Sequence, residues 1–435
     1  MTELVWKTAK ETGAHVARVR QAFTDEFGVE PARVFSAPGR VNLIGEHIDY
    51  NGGIVMPLAL PHRTFVAISP RTDGVLRVPS TQDGSETTEI AADAVAPGAV
   101  DSWIAYVVGV PWAMRELGLL GEVAGADIAV DSDVPLGAGL SSSAALECSV
   151  ALAFDALASE NDSDRELLAA TDDGRKQLAT ACIKAENDIA GANTGGMDQS
   201  ISLRASQGSV LTIDCRDFAT TKVPLDLAAA GLSLLVIDTR APHQLNDGQY
   251  AKRRAGCDAM ADAFGEEFLS SLVTDGTEIT GDVGGAVDRW REIVSAGGVE
   301  VLGEYTVETA EALLRHVLSE QLRVVETIKL FEAGEPTAST WSKLGELLTA
   351  SHASLRDDYQ VTCPELDVAV DVALDAGALG ARMTGGGFGG SAIALVRADE
   401  QDAVAHAVRE AFASRGFNEP HFLSAAPEES AREER

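Results

Sequence analysis

Apolar positions change their period repeatedly along this chain. Residues 64–69 (Thr-Phe-Val-Ala-Ile-Ser) and 126–131 (Ala-Asp-Ile-Ala-Val-Asp) read as strands. Leu146, Val150, Ala153, Phe154 and Leu157 then fall at i, i+4, i+7, i+8 and i+11, the stripe of a helix beginning near Ser142. Leu178, Ala181, Cys182, Ala185 and Ile189 repeat that pattern. The second half opens with a strong strand at 232–237, runs through helix-like stretches at 248–265, 308–332, 338–355 and 365–376, and returns to a strand at 391–396. Alternation of this kind predicts a mixed α and β protein. A boundary near 225 divides it into residues 1–225 and 226–435. The stretch 268–300, rich in Gly, Thr and acids, reads as a loop-bearing insertion. Residues 427–435 read as a solvated, disordered acidic tail.

Composition narrows the function classes. A length of 435 residues with 45% hydrophobic content suits a soluble protein of two or three domains. The net charge of −33 repels phosphate backbones and anionic lipid, so nucleic acid and membrane surfaces are poor partners. Any anionic ligand must instead be held by a local array of cations, metal or helix N-termini. The longest apolar run, 104–114, is far shorter than the roughly 20 residues of a membrane span, and it contains Pro111. The N-terminus shows no signal-peptide pattern. Five scattered cysteines with no C-x-x-C pair indicate neither a disulfide framework nor a zinc cage, and a reduced, cytoplasmic setting is expected. No feature calls for an obligate protein partner.

Four segments could carry chemistry. Residues 37–53 (Ala-Pro-Gly-Arg-Val-Asn-Leu-Ile-Gly-Glu-His-Ile-Asp-Tyr-Asn-Gly-Gly) pack Arg40, Asn42, Glu46, His47, Asp49 and Asn51 between glycine-bearing turns. Carboxylates mixed with imidazole and amides suit sugar hydroxyls, each of which donates and accepts. The same residues would also serve a solvated loop whose Asp and Asn make turns. Residues 135–146 (Pro-Leu-Gly-Ala-Gly-Leu-Ser-Ser-Ser-Ala-Ala-Leu) join a strand to a helix N-terminus. Open backbone N–H groups and a helix start make an anion cradle, although the segment is not a Walker A loop and a serine-capped turn is the plainer alternative.

Glu186 in Lys184-Ala-Glu-Asn-Asp188 is separated from Asp198 by a glycine-rich turn. Two carboxylates near phosphates could divide the work, one holding a divalent cation and the other handling a substrate proton. Finally, Met383-Thr-Gly-Gly-Gly-Phe-Gly-Gly-Ser391 matches G-x-G-x-x-G but precedes a strand instead of a helix. A glycine-rich hairpin therefore fits it better than a dinucleotide-binding turn.

Together these segments resemble the galactokinases, within the small-molecule kinase (GHMP) superfamily that includes homoserine and mevalonate kinases. Gly39-Arg-Val-Asn-Leu-Ile-Gly-Glu-His-Ile-Asp-Tyr-Asn51 resembles the galactokinase signature, Pro135–Ala144 the superfamily phosphate loop, and Thr384–Gly390 its third motif. Gly-Gly-Met-Asp-Gln199 extends the resemblance, which runs from about residue 33 to 396. Ile48 departs from the family, where threonine is usual.

The resemblance implies a two-domain α+β fold. Its N-terminal domain would be ribosomal-S5-like with a β-α-β core, its C-terminal domain ferredoxin-like, and its active site would lie in the cleft between them. It implies ATP-dependent phosphorylation of α-D-galactose at the C1 hydroxyl, with Mg²⁺ as cofactor and galactose and MgATP as the partners. By position, Asp198 is the expected catalytic aspartate and Arg40 its neighbour. Glu46, His47, Ile48, Asp49, Gly195 and Tyr250 would bind the sugar. Gly137, Ala138, Gly139, Leu140, Ser141, Ser142 and Ser143 would wrap the ATP phosphates, with Ser80 and Trp103 on the adenine side. Ser143 and Glu186 would hold Mg²⁺. A kinase for N-acetylgalactosamine and a non-catalytic galactose and ATP sensor of the same fold are the alternatives. Retention of Arg40, Asp198 and the full serine run favours the enzyme.

Overall fold

The computed structural model describes residues 3–79, 87–161, 165–192, 194–241, 248–297 and 305–435. A six-stranded sheet carries the first half in the spatial order Arg432–Glu434, Arg33–Asn42, Pro57–Pro70, Ala126–Ser132, Val75–Val78, Thr88–Ala91. All neighbours are antiparallel except Val75–Val78 against Ala126–Ser132. Alternation along these strands sends side chains to opposite faces. Phe35, Val66, Ile68, Ile128 and Val130 pack on a helical layer formed by Ala105–Glu116, Ser142–Asn161 and Asp172–Ala185. Val34, Phe65, Ala67 and Ala129 turn the other way, onto Val19 and Phe23 of the helix Thr12–Phe27.

The second half forms a five-stranded sheet, ordered Val5–Trp6, His421–Ala425, Leu232–Asp238, Ser391–Arg397, Gly380–Thr384. The central strand sets Leu234 opposite Leu395 and Val236 opposite Ile393, and both faces are buried. The expected glycine-rich hairpin is present: Gly380–Thr384 and Ser391–Arg397 pair antiparallel around the 385–390 turn. A core that includes Leu43, Ile44, Ile48 and Met56 from the first half and Val236, Leu348 and Ile393 from the second runs without a break between them. No helix among the described residues is long and apolar enough to cross a membrane.

Two sequence expectations are corrected. Residues 427–435 do not form a disordered tail, because Arg432–Glu434 is an edge strand on Arg33–Asn42. The charged side chains that suggested solvation have partners nearly the whole chain away. Arg33 makes a bidentate pair with Glu433 at 2.7 and 2.8 Å, and Ser36 donates to Glu434 at 2.6 Å. Buried Arg63 donates to the carbonyls of Glu429 and Ser430 at 2.9 and 2.8 Å, and burial pushes its pKa down to about 10.

The stretch 268–300 is likewise more than a loop. Asp282 caps the helix Val283–Ser295 by accepting from Gly285 N at 2.9 Å, and the helix buries Ala286, Val287 and Trp290. Its glycines and acids sit at the cap and on the wet face, which hid the helical period. Upstream of it, Phe268 closes against Gly52, and Ser270 donates to Gly52 O at 2.7 Å. The segment therefore supports the end of the 37–53 motif.

Removing residues 427–435 would leave the buried Arg63 guanidinium without two of its acceptors. Breaking such a contact costs about 3 kcal/mol. Denaturant unfolding should show the truncated chain less stable by that order. Equal stability would contradict the role assigned to the tail.

Candidate active site

Three motifs far apart in the sequence meet at one point. Arg40, near the end of the strand Arg33–Asn42, makes a bidentate pair with Asp198: Nε to Oδ1 at 2.8 Å and Nη2 to Oδ2 at 2.7 Å. Its remaining nitrogen, Nη1, donates to Gly139 O at 2.7 Å in the 135–141 loop. Ser141 donates to the same Asp198 Oδ2. Asp198 lies in the first turn of the short helix Met197–Arg204. Both lone-pair faces of its carboxylate are thus fixed by charge-assisted and hydroxyl bonds.

The 135–141 loop ends at the N-terminus of the twenty-residue helix Ser142–Asn161, whose unpaired N–H groups and dipole favour an anion. Gly139 and Ser141 hold φ of 71° and 60°, the second a conformation few non-glycine residues adopt. The third motif closes on this loop from the other domain. Ser391 donates to Ala138 O at 2.6 Å, and a Cβ at Gly385 would stand 2.8 Å from Gly139 O, so only glycine allows the approach.

The 42–51 segment builds the wall of the site. Glu46 is buried, and its carboxylate accepts from Asn42 Nδ2 at 2.7 Å, Gly385 N at 2.7 Å and Arg382 Nη2 at 2.9 Å. Burial pushes its pKa up against the pull of Arg382 and Arg40. His47 sits at φ 63°, a left-handed conformation costing roughly 1–2 kcal/mol that the surroundings must impose. Burial holds its pKa down to about 3, so the ring is neutral at physiological pH. His47 Nδ1 hydrogen-bonds Tyr50 Oη at 2.9 Å, whereas buried Nε2 has no partner.

Asp49 lies against Gly195: a Cβ there would fall 2.2 Å from Asp49 Oδ2, so a side chain at 195 would displace the carboxylate. Burial, and then the charges of Asp198 and Glu46, lift Asp49 to about 7. Tyr250, partly buried at the start of the helix Gln249–Phe264, places its ring 5.6 Å from His47 and 5.4 Å from Tyr50.

A second carboxylate centre adjoins the first. Buried Glu186 opens a π turn after the helix Asp172–Ala185 and accepts from Thr194 Oγ1 at 2.8 Å and Gln199 Nε2 at 2.5 Å. Ser143 also hydrogen-bonds its carboxylate. Burial pushes the Glu186 pKa up, with Asp198 adding to it.

Not every expected residue turns its side chain toward the site. Ile48 is fully buried in the core, packed on Gly53, and its side chain serves packing instead of the pocket. Trp103 packs on the helical core beneath the six-stranded sheet. Ser80 lies outside the described residues. Sequence reasoning also missed Arg382, Tyr359, His316 and Glu320. Arg382 interrupts an apolar strand, and Glu320 occupies the buried stripe Leu313, Val317, Val324, Ile328 of the helix Val307–Glu332; a charge at an apolar position was the readable signal.

Comparison with known proteins places this geometry. Family models match in chain order: the galactokinase galactose-binding signature over residues 21–70, the GHMP kinases N terminal domain over 105–206 and the GHMP kinases C terminal over 328–414. A galactokinase of Streptomyces coelicolor is 45% identical over 414 residues, 95% of this chain and 97% of its own. The chain belongs to the galactokinase family. A galactokinase of Chloroflexus aurantiacus is 38% identical over 401 residues, 91% of each chain. The structure of Lactococcus lactis galactokinase complexed with galactose superposes with a TM-score of 0.80 at 29% identity, covering 96% of this chain and 99% of that one. Methanococcus jannaschii mevalonate kinase, at a TM-score of 0.58 and 14% identity, shares the fold alone. Galactokinase membership makes the chain a sugar kinase with N- and C-terminal GHMP domains, in agreement with the two-domain α+β fold expected from its motifs.

The raised pKa of Asp49 has a consequence for stability. In the folded chain its carboxyl stays protonated up to about pH 7, whereas in the unfolded chain it ionises near the ordinary value of 3.8. Its contribution to stability is complete at low pH and is lost as pH rises through about 7. Asp49→Asn cannot ionise, so its melting temperature relative to the parent should climb between pH 5 and pH 8. A difference that does not change with pH would contradict the burial of this carboxyl.

Proposed function

We propose that this chain transfers the γ-phosphoryl group of ATP to the C1 hydroxyl of α-D-galactose, giving galactose 1-phosphate and ADP. The observation that carries this reading is the Arg40–Asp198 pair, wedged between the 135–141 loop and the wall of Glu46, His47 and Asp49. One side of the pair offers glycines, hydroxyls and a helix N-terminus for phosphates. The other offers carboxylates, a neutral imidazole and a tyrosine for hydroxyls.

In this reading Asp198 orients the C1 hydroxyl and takes up its proton as the bond to phosphorus forms. Arg40 keeps the aspartate aligned and counters the negative charge that grows on the moving phosphoryl group. Transfer proceeds through a loose transition state, so positioning and electrostatics supply most of the rate. Asp49, the backbone at Gly195, Glu46, the unpartnered His47 Nε2 and Tyr250 would receive the sugar's hydroxyls and ring face. Gly137–Ser143 would cradle the ATP phosphates.

Mg²⁺ fits the oxygens gathered at Glu186. It prefers one or two protein ligands together with phosphate oxygens, and the Glu186 carboxylate beside the Ser143 hydroxyl offers that set. Bound there, it would neutralise charge on the β and γ phosphates.

A coupled ADP-release assay with MgATP should give turnover with galactose and none without sugar. Asp198→Asn should lower kcat by about 10²–10⁴ while leaving the galactose dissociation constant near the parent value. Turnover within about tenfold of the parent, roughly 1.4 kcal/mol, would remove Asp198 from the proposed role.

A further inference from the structure

Helix Val307–Glu332 comes from the second half of the chain, and two of its buried side chains grip the backbone that leads into His47. Glu320 Oε1 accepts from Gly45 N at 2.9 Å and from Glu46 N at 3.3 Å. His316 Nε2 meets Glu46 O, the carbonyl of the peptide bond joining Glu46 to His47, at 3.0 Å. Both side chains are fully buried. Each is itself fixed from behind: Ser351 donates to Glu320 Oε1 at 2.7 Å, Arg323 Nε donates to Glu320 Oε2 at 2.8 Å, and His316 Nδ1 hydrogen-bonds Ser354 Oγ at 2.9 Å. The His316 ring also lies 4.5 Å from that of Tyr359, which in turn lies 4.9 Å from that of His47.

We propose that Glu320 and His316 are positioning residues for the sugar, holding the Gly45–Glu46–His47 backbone in the shape that presents the Glu46 and His47 side chains to it. The inference rests on the reading of residues 46–49 as the sugar wall.

The chemistry of each contact supports this. A carbonyl only accepts, so His316 must carry its proton on Nε2. Burial, opposed most by Glu320, leaves its pKa at about 4, so the neutral ring can donate there and accept from Ser354. Burial alone would raise the Glu320 carboxyl, but Arg323 and Arg382 overcome it and bring the pKa down to about 2, so Glu320 is an ionised acceptor aimed at two amides. His47 stands at φ 63°, a conformation that persists only when neighbouring contacts impose it. Here they do so on both sides of the residue before it: two N–H groups are held by Glu320 and one carbonyl by His316. Glu320 and His316 touch neither the expected sugar hydroxyls nor the phosphate loop, and so act through the backbone.

The test compares Glu320→Gln, Glu320→Ala and, as a control, Leu313→Ala. Leu313 is buried on the same helix about two turns before Glu320 and stands beside Gly256. Galactose and ATP dissociation constants, KM for each and melting temperature would be measured for the full-length chains. Glu320→Gln keeps a carbonyl oxygen for the amides and should weaken galactose binding about tenfold. Glu320→Ala should weaken it about a hundredfold. ATP binding should stay within about twofold in both. Leu313→Ala should lose melting temperature with galactose binding unchanged. Equal loss of galactose affinity in Leu313→Ala, or parent-like affinity in either Glu320 variant, would overturn the positioning role and leave the sugar wall standing. Failure of the parent protein itself to bind galactose would overturn the sugar reading and this inference with it.

Discussion

Charge is the constraint on which this site depends. A chain of net charge −33 gathers Glu46, Asp49, Glu147, Glu186 and Asp198 into one region, four of the five with their pKa raised by burial. Left alone, carboxylates so placed would take up protons or force the centre open. Two buried guanidiniums offset part of that charge. Arg40 binds both oxygens of Asp198 together with Gly139 O, while Arg382 binds Glu46 together with the carbonyls of Asn42 and Leu43 at 3.1 and 3.3 Å. Each arginine thus ties a carboxylate to a stretch of backbone, and electrostatics and loop geometry become one problem. The planar fork of arginine suits this task where the point charge of lysine would not.

The rest of the architecture supplies rigidity around those two residues. Glycine at 385 lets the third motif touch the phosphate loop, so the two halves meet through backbone. The ends of the chain cross over: Val5–Trp6 joins the five-stranded sheet and Arg432–Glu434 the six-stranded one. The segment around Phe268 and Ser270 closes the last turn of the 37–53 motif, and Gln321, on the helix Val307–Glu332, accepts from Ile54 N at 2.9 Å. A strained residue such as His47 can persist only in a surrounding this determined.

Much of this was legible in the sequence, for identifiable reasons. Arg40, Glu46, His47, Asp49, Ser141, Ser143, Glu186 and Asp198 lie in short glycine-bearing motifs that could equally make plain turns, and the resemblance to the galactokinases marked them as a site. The strands 232–237 and 391–396 and the long helices announced themselves by period. The unreadable parts share a cause: their partners are distant in the chain. Glu320, His316 and Arg382 acquire meaning only when the second half folds onto residues 42–47. The 427–435 segment looks solvated until Arg33, Ser36 and Arg63 are seen beside it. Ile48 errs the other way. It sits inside the run expected to bind the sugar, yet its side chain is buried in the core.

The central claim is that Arg40 and Asp198 act as one unit, and a double-mutant cycle on kcat/KM for galactose tests it most directly. With Arg40→Met, Asp198→Asn and the double variant, the account predicts strong non-additivity, the double variant being impaired about as much as the worse single one. Losses that simply multiply, so that the double variant falls by the product of the two, would show two residues working independently and would contradict it.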